Sequence, residues 1–167
     1  MPFDDPALLL EQQREQFAHD RRNHSDIVCL PRADRLKHYG LHFAKYAGRM
    51  ARGDAEEKSQ AQTVVDAILV SLSAANALSQ HLDQEIGAIP SDRRSATLER
   101  LTDAAGRFAD ACEKIDHLED FLALAKTANV DIMLWSIAKA RELSLDVNAL
   151  LQDRRRFLGS RAFYVKD

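Results

Sequence analysis

Two stretches of the chain repeat one another. "VDAILVSLSAANALS" (65–79) and "VDIMLWSIAKARELS" (130–144) align without a gap, with Val, Asp, Leu, Ser, Ala, Leu and Ser at matching places. Upstream of the first stands "YAGRMA" (46–51), and upstream of the second "AAGRFA" (104–109). Each half therefore reads Ala-Gly-Arg-apolar-Ala, a variable polar spacer, then a helix opening on Val-Asp. The second spacer is seven residues longer, a difference that a loop absorbs at small entropic cost. One helix pair cannot bury its apolar faces alone, so a duplicated pair predicts a four-helix core.

The remaining sequence agrees with a helical reading. Six glycines and four prolines in 167 residues leave few breakers, and no segment alternates long enough to argue a strand. Asp5–Pro6 starts a helix that runs to about Arg22, and "NHSD" reads as a turn. Pro31 opens the next helix, which ends near Gly53 in a left-handed cap position. Asp54 with Glu57 resembles a capping box for a third helix that fades by Gly87. "GAIPSD" (87–92) is the clearest break, with Ser91 or Asp92 as the expected cap of the next helix. A short last helix runs from about Asp146 to Leu158–Gly159, and the tail reads as irregular. The expected architecture is all-α: one domain over 1–167, with a four-helix bundle built from repeats at about 33–86 and 95–150. The repeats are expected in pseudo-twofold relation, with a further helix at each terminus. Glycine inside a helix costs about 1 kcal/mol relative to alanine. Gly48 and Gly106, at equivalent places, therefore predict close helix–helix approach.

Charge and motifs narrow the function classes. The formal net charge of −3 gives no nucleic-acid or membrane signal. The apolar run "VVDAILVSLSAANAL" is too short, and too interrupted by Asp, Ser and Asn, to span a bilayer. The acidic start is unlike a secretory signal, which makes a cytoplasmic location the expectation. Cys29 and Cys112 sit in no metal spacing and read as free thiols. There is no G-x-S-x-G elbow, P-loop or G-x-G-x-x-G.

The local patterns of the two halves carry a resemblance. "HFAKYAGRMA" (42–51), the Asp near the start of the following helix, and the closing segments "ANALSQHLD" (75–83) and "ARELSLDV" (140–147) resemble the MazG-like all-α nucleoside triphosphate pyrophosphatases. The resemblance implies magnesium chemistry: an E-E-x-x-E helix and an E-x-x-D helix hold Mg²⁺ against a triphosphate. It also implies contacts between subunits that a tandem chain could make internally, which allows a monomeric pseudo-dimer; a homodimer is the alternative, because dimers are the commonest assembly.

The chain departs from that pattern. Matched on the glycine of "AGR", the first-helix acids fall at Lys45, Tyr46 and Arg49, and in the second copy at Asp103, Ala104 and Arg107. The glutamate of E-x-x-D falls at Thr63 and Ala128, while its aspartate persists as Asp66 and Asp131. Hard divalent cations need several oxygen ligands, and Lys or Arg in the shell opposes them. The expectation is a divergent member without metal-dependent hydrolysis and without a cofactor, acting as a nucleotide- or phosphate-binding or assembly module. Arg49 is expected to pair with Asp66 and Arg107 with Asp131 where metal would sit. Lys45, Arg49 and Arg107 are the candidate phosphate ligands, because a guanidinium fork matches phosphate geometry. The alternative is an active Mg²⁺-dependent pyrophosphohydrolase with relocated ligands Asp103, Asp110, Glu113 and Asp131.

Three weaker candidates remain. Asp34, His38 and His42 are spaced four apart, a possible 2-His-1-carboxylate metal face. Arg154, Arg155 and Arg156 with Arg161 form a basic C-terminal patch that could dock phosphate, nucleic acid or another subunit, although a charge run of this length usually reads as a solvated face. Trp135 replaces Val70 in the repeat and reads as core filling.

Overall fold

A computed structural model describes residues 5–87 and 96–161. Among them there are eight α-helices and no strand: α1 (Pro6–Asn23), α2 (Ser25–Val28), α3 (Arg32–Arg52), α4 (Gln60–Ala77), α5 (Leu82–Gly87), α6 (Leu98–Asp116), α7 (Leu122–Glu142) and α8 (Val147–Ser160). A 3₁₀ turn, Gly53–Ala55, joins α3 to α4. The fold is an all-α bundle. The four long helices of the two repeat regions form a closed ring: α3 packs on α4, α4 on α7, α7 on α6 and α6 on α3. α1 lies against α4 and α5, and α8 against α1 and α4. No helix in the described residues is long and apolar enough to cross a membrane.

The sequence explains which helices are central. α4 buries thirteen of its eighteen residues, as an element apolar on every side must. On one face α4 and α7 join Leu36, Phe43, Tyr46 and Phe108 of α3 and α6. On the other they meet Leu9 of α1, Leu82 and Ile86 of α5 and Leu151 of α8. Trp135 is buried in this second cluster, with Nε1 donating to the Thr97 carbonyl at 2.9 Å.

The helix ends differ from expectation in four places. "NHSD" contains the start of a single helical turn, α2, rather than a plain turn. The capping box of α4 is Ser59 with Gln62, each side chain bonding the other's backbone N–H. Asp54 lies instead in the 3₁₀ turn, so its pairing with Glu57 does not form a box. The third helix does not run unbroken to Gly87. α4 stops at Ala77, Ser79 takes a positive φ of 51°, and α5 starts afresh at Leu82. α6 is capped by Thr97, whose hydroxyl accepts from Arg100 N; Ser91 and Asp92 lie outside the described residues, as does the tail from 162. The expected boundaries at Asp5, Gly53 (φ 53°) and Asp146 are present.

Gly48 and Gly106 do not make the close helix contacts expected of them. A Cβ at Gly106 would meet nothing within 4 Å, and one at Gly48 only the Arg52 side chain at 3.3 Å. Small side chains in the interior provide them instead: Ala67, Ala74, Ala104, Ala111, Ala125 and Ala128 line the cluster between the four long helices. Alanine permits near approach without the backbone entropy that glycine carries.

Candidate functional site

Three helices converge on one carboxylate. Asp66 stands early in α4 with its side chain only 10% exposed. Arg49, in the last turn of α3, donates Nη1 to Asp66 Oδ2 at 3.2 Å. Arg154 on α8 donates Nε to Oδ1 at 2.7 Å and Nη2 to Oδ2 at 3.3 Å. Lys45, one turn before Arg49, places Nζ 3.0 Å from His42 Nδ1. Burial and the nearby Arg49 guanidinium hold the Lys45 ammonium below the ordinary lysine range. The Tyr46 ring lies under both cations, with Lys45 Nζ 5.4 Å and Arg49 Cζ 5.5 Å from its centroid, an arrangement its π-face favours.

These groups form part of the wall of a cavity of about 720 Å³ between α1, α2, α3, α4 and α8. That volume falls in the range of small-molecule sites, about 300–1,000 Å³. Five Lys or Arg side chains and three Asp line it, together with His24, His38 and His42. The lining is therefore cationic, and it also carries Tyr39, Tyr46 and Phe157. His38 and His42 bring their Nε2 atoms to 3.2 Å. Burial lowers both imidazoles, His42 to about 4 with Lys45 adding to the effect. The His42 ring is thereby held neutral at ordinary pH.

A second group of polar residues lines the same cavity farther along α4. Asp20 on α1 accepts from Ser73 Oγ at 2.6 Å and from Gln16 Nε2 at 2.8 Å. Burial raises its pKa, while Ser73 and Gln16 act in the opposite sense.

The second repeat builds a different site from matching residues. Arg107 Nη2 meets Asp131 Oδ2 at 2.6 Å, and its Nε meets Asp103 Oδ2 at 2.9 Å. Both ion pairs expected from the repeat are thus present. Asp131 is 43% exposed, however, and neither it nor Arg107 lines the cavity. The difference arises because α8 covers α4 and supplies Arg154 there.

The proposed metal ligands do not converge. Among the described residues, no group of three or more His, Cys, Asp or Glu side chains is placed to hold a metal ion. Asp103 and Asp131 meet through the Arg107 guanidinium, which opposes a divalent cation between them. Asp110 and Glu113 are exposed beside Lys114. His38 and His42 line the cavity, but Asp34 is exposed and outside it.

The sequence marks Arg154 only as one member of a basic patch, and its pairing with Asp66 is not legible there because "RRR" looks like a solvated run, yet its three members take three environments. Arg154 grips Asp66 and Arg156 pairs with Asp153 at the surface. Arg155 bonds Gln12, Glu15 and Gln16 of α1. The available signal was on α1, whose buried stripe Leu9, Gln12, Gln13, Gln16, His19 and Asp20 has helical spacing but is mostly polar. A polar stripe turned inward needs polar partners from elsewhere in the chain. No family model matches the chain, and no curated protein or solved structure matches it either.

Proposed function

We propose that the protein binds a nucleotide or related phosphate ester in this cavity, without the metal-dependent hydrolysis of MazG-like enzymes. The observation that carries the reading is the convergence of Lys45, Arg49 and Arg154 around one end of a ligand-sized cavity. In the free protein Asp66 serves as their counter-ion. An incoming phosphate offers more oxygens and more charge than one carboxylate, so it competes well for both guanidinium forks. The resemblance of the two helix pairs to MazG-like proteins supports a nucleotide as the phosphate carrier. A cation at the position of each copy's last first-helix acid, Arg49 and Arg107, supports binding without magnesium. On this reading Arg107 serves the bundle as a surface ion pair and takes no part in binding.

The test is calorimetric titration with nucleoside triphosphates and with pyrophosphate, with and without Mg²⁺, while released pyrophosphate is assayed in the same samples. Binding independent of Mg²⁺ and free of turnover is expected. Losing one charge-assisted contact of about 1.5–3 kcal/mol should weaken binding roughly 10- to 100-fold in Arg49→Ala and in Arg154→Ala. Arg107→Ala should bind as the parent does. Magnesium-dependent turnover would overturn the reading and return attention to Asp103, Asp110, Glu113 and Asp131.

A further inference from the structure

The cavity has two chemically different ends, and their separation follows from one helix. Asp66, Leu69, Val70 and Ser73 of α4 all line it. Asp66 and Ser73 are seven residues apart, which is about 10 Å of helix rise. At the Asp66 end stand Lys45, Arg49 and Arg154. At the Ser73 end stands the Asp20 carboxylate, held by Ser73 and Gln16. Between them the α4 wall is apolar at Leu69 and Val70.

A carboxylate has about four lone-pair sites. Ser73 and Gln16 occupy one on each Asp20 oxygen, which leaves one acceptor position on each. Two adjacent acceptors of this kind match two adjacent N–H donors on a ligand. The neighbouring charged and titratable groups have mixed character. Asp26 and His24 come from the α2 side, His38 and His42 from α3, and Arg161 from α8.

Resting on the phosphate reading above, we infer that the ligand is two-ended and that Asp20 is the specificity-determining residue. The phosphate meets Lys45, Arg49 and Arg154, and Asp20 reads a pair of N–H donors about 10 Å away along α4. Among nucleobases, guanine presents such a pair side by side at N1 and N2. Adenine and cytosine present one exocyclic amine beside an acceptor. The apolar stretch of α4, with Tyr46 of α3 and Phe157 of α8 on other walls, suits the ring and ribose between the ends. Reading a base edge by hydrogen bonds while apolar and aromatic side chains hold its faces is a general solution.

The experiment compares the intact protein's affinity for pyrophosphate, GTP, ITP and ATP by calorimetry. ITP differs from GTP only in lacking the exocyclic N2 amine. GTP should bind about tenfold or more tightly than ITP or ATP, the discrimination expected of one well-placed base contact. Asp20→Asn replaces one acceptor by a donor with little change of shape, and should bring the GTP-to-ITP ratio close to one. Equal wild-type affinity for GTP, ITP and ATP overturns this inference while pyrophosphate binding still upholds the phosphate site. Absence of pyrophosphate binding instead overturns the phosphate reading itself. Asp20→Asn weakening pyrophosphate and GTP by the same factor would show a purely structural Asp20 and also sink the inference. The wild-type GTP-to-ITP comparison decides the matter even if the variant does not fold.

Discussion

Arg154 and Asp66 are 88 positions apart, and the Arg154 fork spans both oxygens of the carboxylate. This contact fastens α8 across the first repeat region. The side chains are 25% and 10% exposed, against 28% and 43% for Arg107 and Asp131. A bidentate pair shielded from water is expected to couple more strongly than one open to it. Double-mutant cycles with alanine should give roughly 2 kcal/mol for Arg154 with Asp66 and below about 1 kcal/mol for Arg107 with Asp131. Urea unfolding of each set measures this. Equal coupling in the two pairs would remove the distinction between a covered site and a surface one.

Asp66 also sets a prediction whose sign separates two chemistries. If it is the resident counter-ion of Arg49 and Arg154, then Asp66→Asn releases two guanidiniums for an incoming anion. Pyrophosphate affinity without metal should rise several-fold, to about tenfold. A metal-ligating aspartate would behave oppositely, since the amide would weaken Mg²⁺-dependent binding. Titration of pyrophosphate into Asp66→Asn, in chelator and then in Mg²⁺, reads the sign directly.

Much of this site was legible in the repeat, and part of it was not. Arg49 and Asp66 stand in corresponding places to Arg107 and Asp131, so two interhelical pairs could be read from the sequence. What differs is the element lying on top of them, a long-range property that local pattern does not carry. Ser71 and Ser136 make the same point, occupying matching repeat positions. Ser71 Oγ bonds across to Asn129 Oδ1 at 2.8 Å, whereas Ser136 Oγ turns back to the Ile132 carbonyl of its own helix at 2.8 Å. The glycines misled for a related reason. Gly106 sits on the exposed side of α6, where no neighbour requires its lack of a side chain.

The arginine run should separate cleanly by position. Arg155 reaches Gln16 Oε1 at 2.9 Å, Gln12 Oε1 at 2.7 Å and Glu15 Oε2 at 2.8 Å, tying α8 to the polar stripe of α1. Removing it strands several partly buried acceptors, so Arg155→Ala should cost roughly 2–4 kcal/mol. Arg156 is exposed and pairs with Asp153 one turn earlier on the same helix; Arg156→Ala should fall within about 0.5 kcal/mol of the parent. Chemical denaturation of the two variants side by side checks the contrast.

Two glycines should respond with opposite signs. Gly106 lies in the interior of α6 with open space where a Cβ would go. Gly106→Ala should therefore stabilise the protein by about 0.5–1 kcal/mol through helix propensity. Gly53 ends α3 with φ at +53° and ψ at −123°, where a Cβ is strained whatever the space. Gly53→Ala should destabilise by about 1 kcal/mol or more. Thermal unfolding separates the pair, and a destabilised Gly106→Ala would restore the close-contact role.

The histidines give the fold a defined acid sensitivity. Burial lowers His19 to about 4, with His24, Arg155 and Arg22 adding to the effect. Burial likewise lowers His42 to about 4, with Lys45, His38 and Arg49 acting in the same sense. Unfolded histidine takes its proton near 6.5, so between about 6.5 and 4 the unfolded chain binds more protons than the folded one. Stability is then full above this window and declines as pH falls through it, by roughly 1–2 kcal/mol for each histidine after allowance for solvent. Asp20, raised by burial, acts in the other sense. Urea midpoints at pH 7 and pH 5 should show the net decline, and His42→Gln should reduce it. An NMR titration placing His19 and His42 near 6.5 in the folded protein would remove the cause.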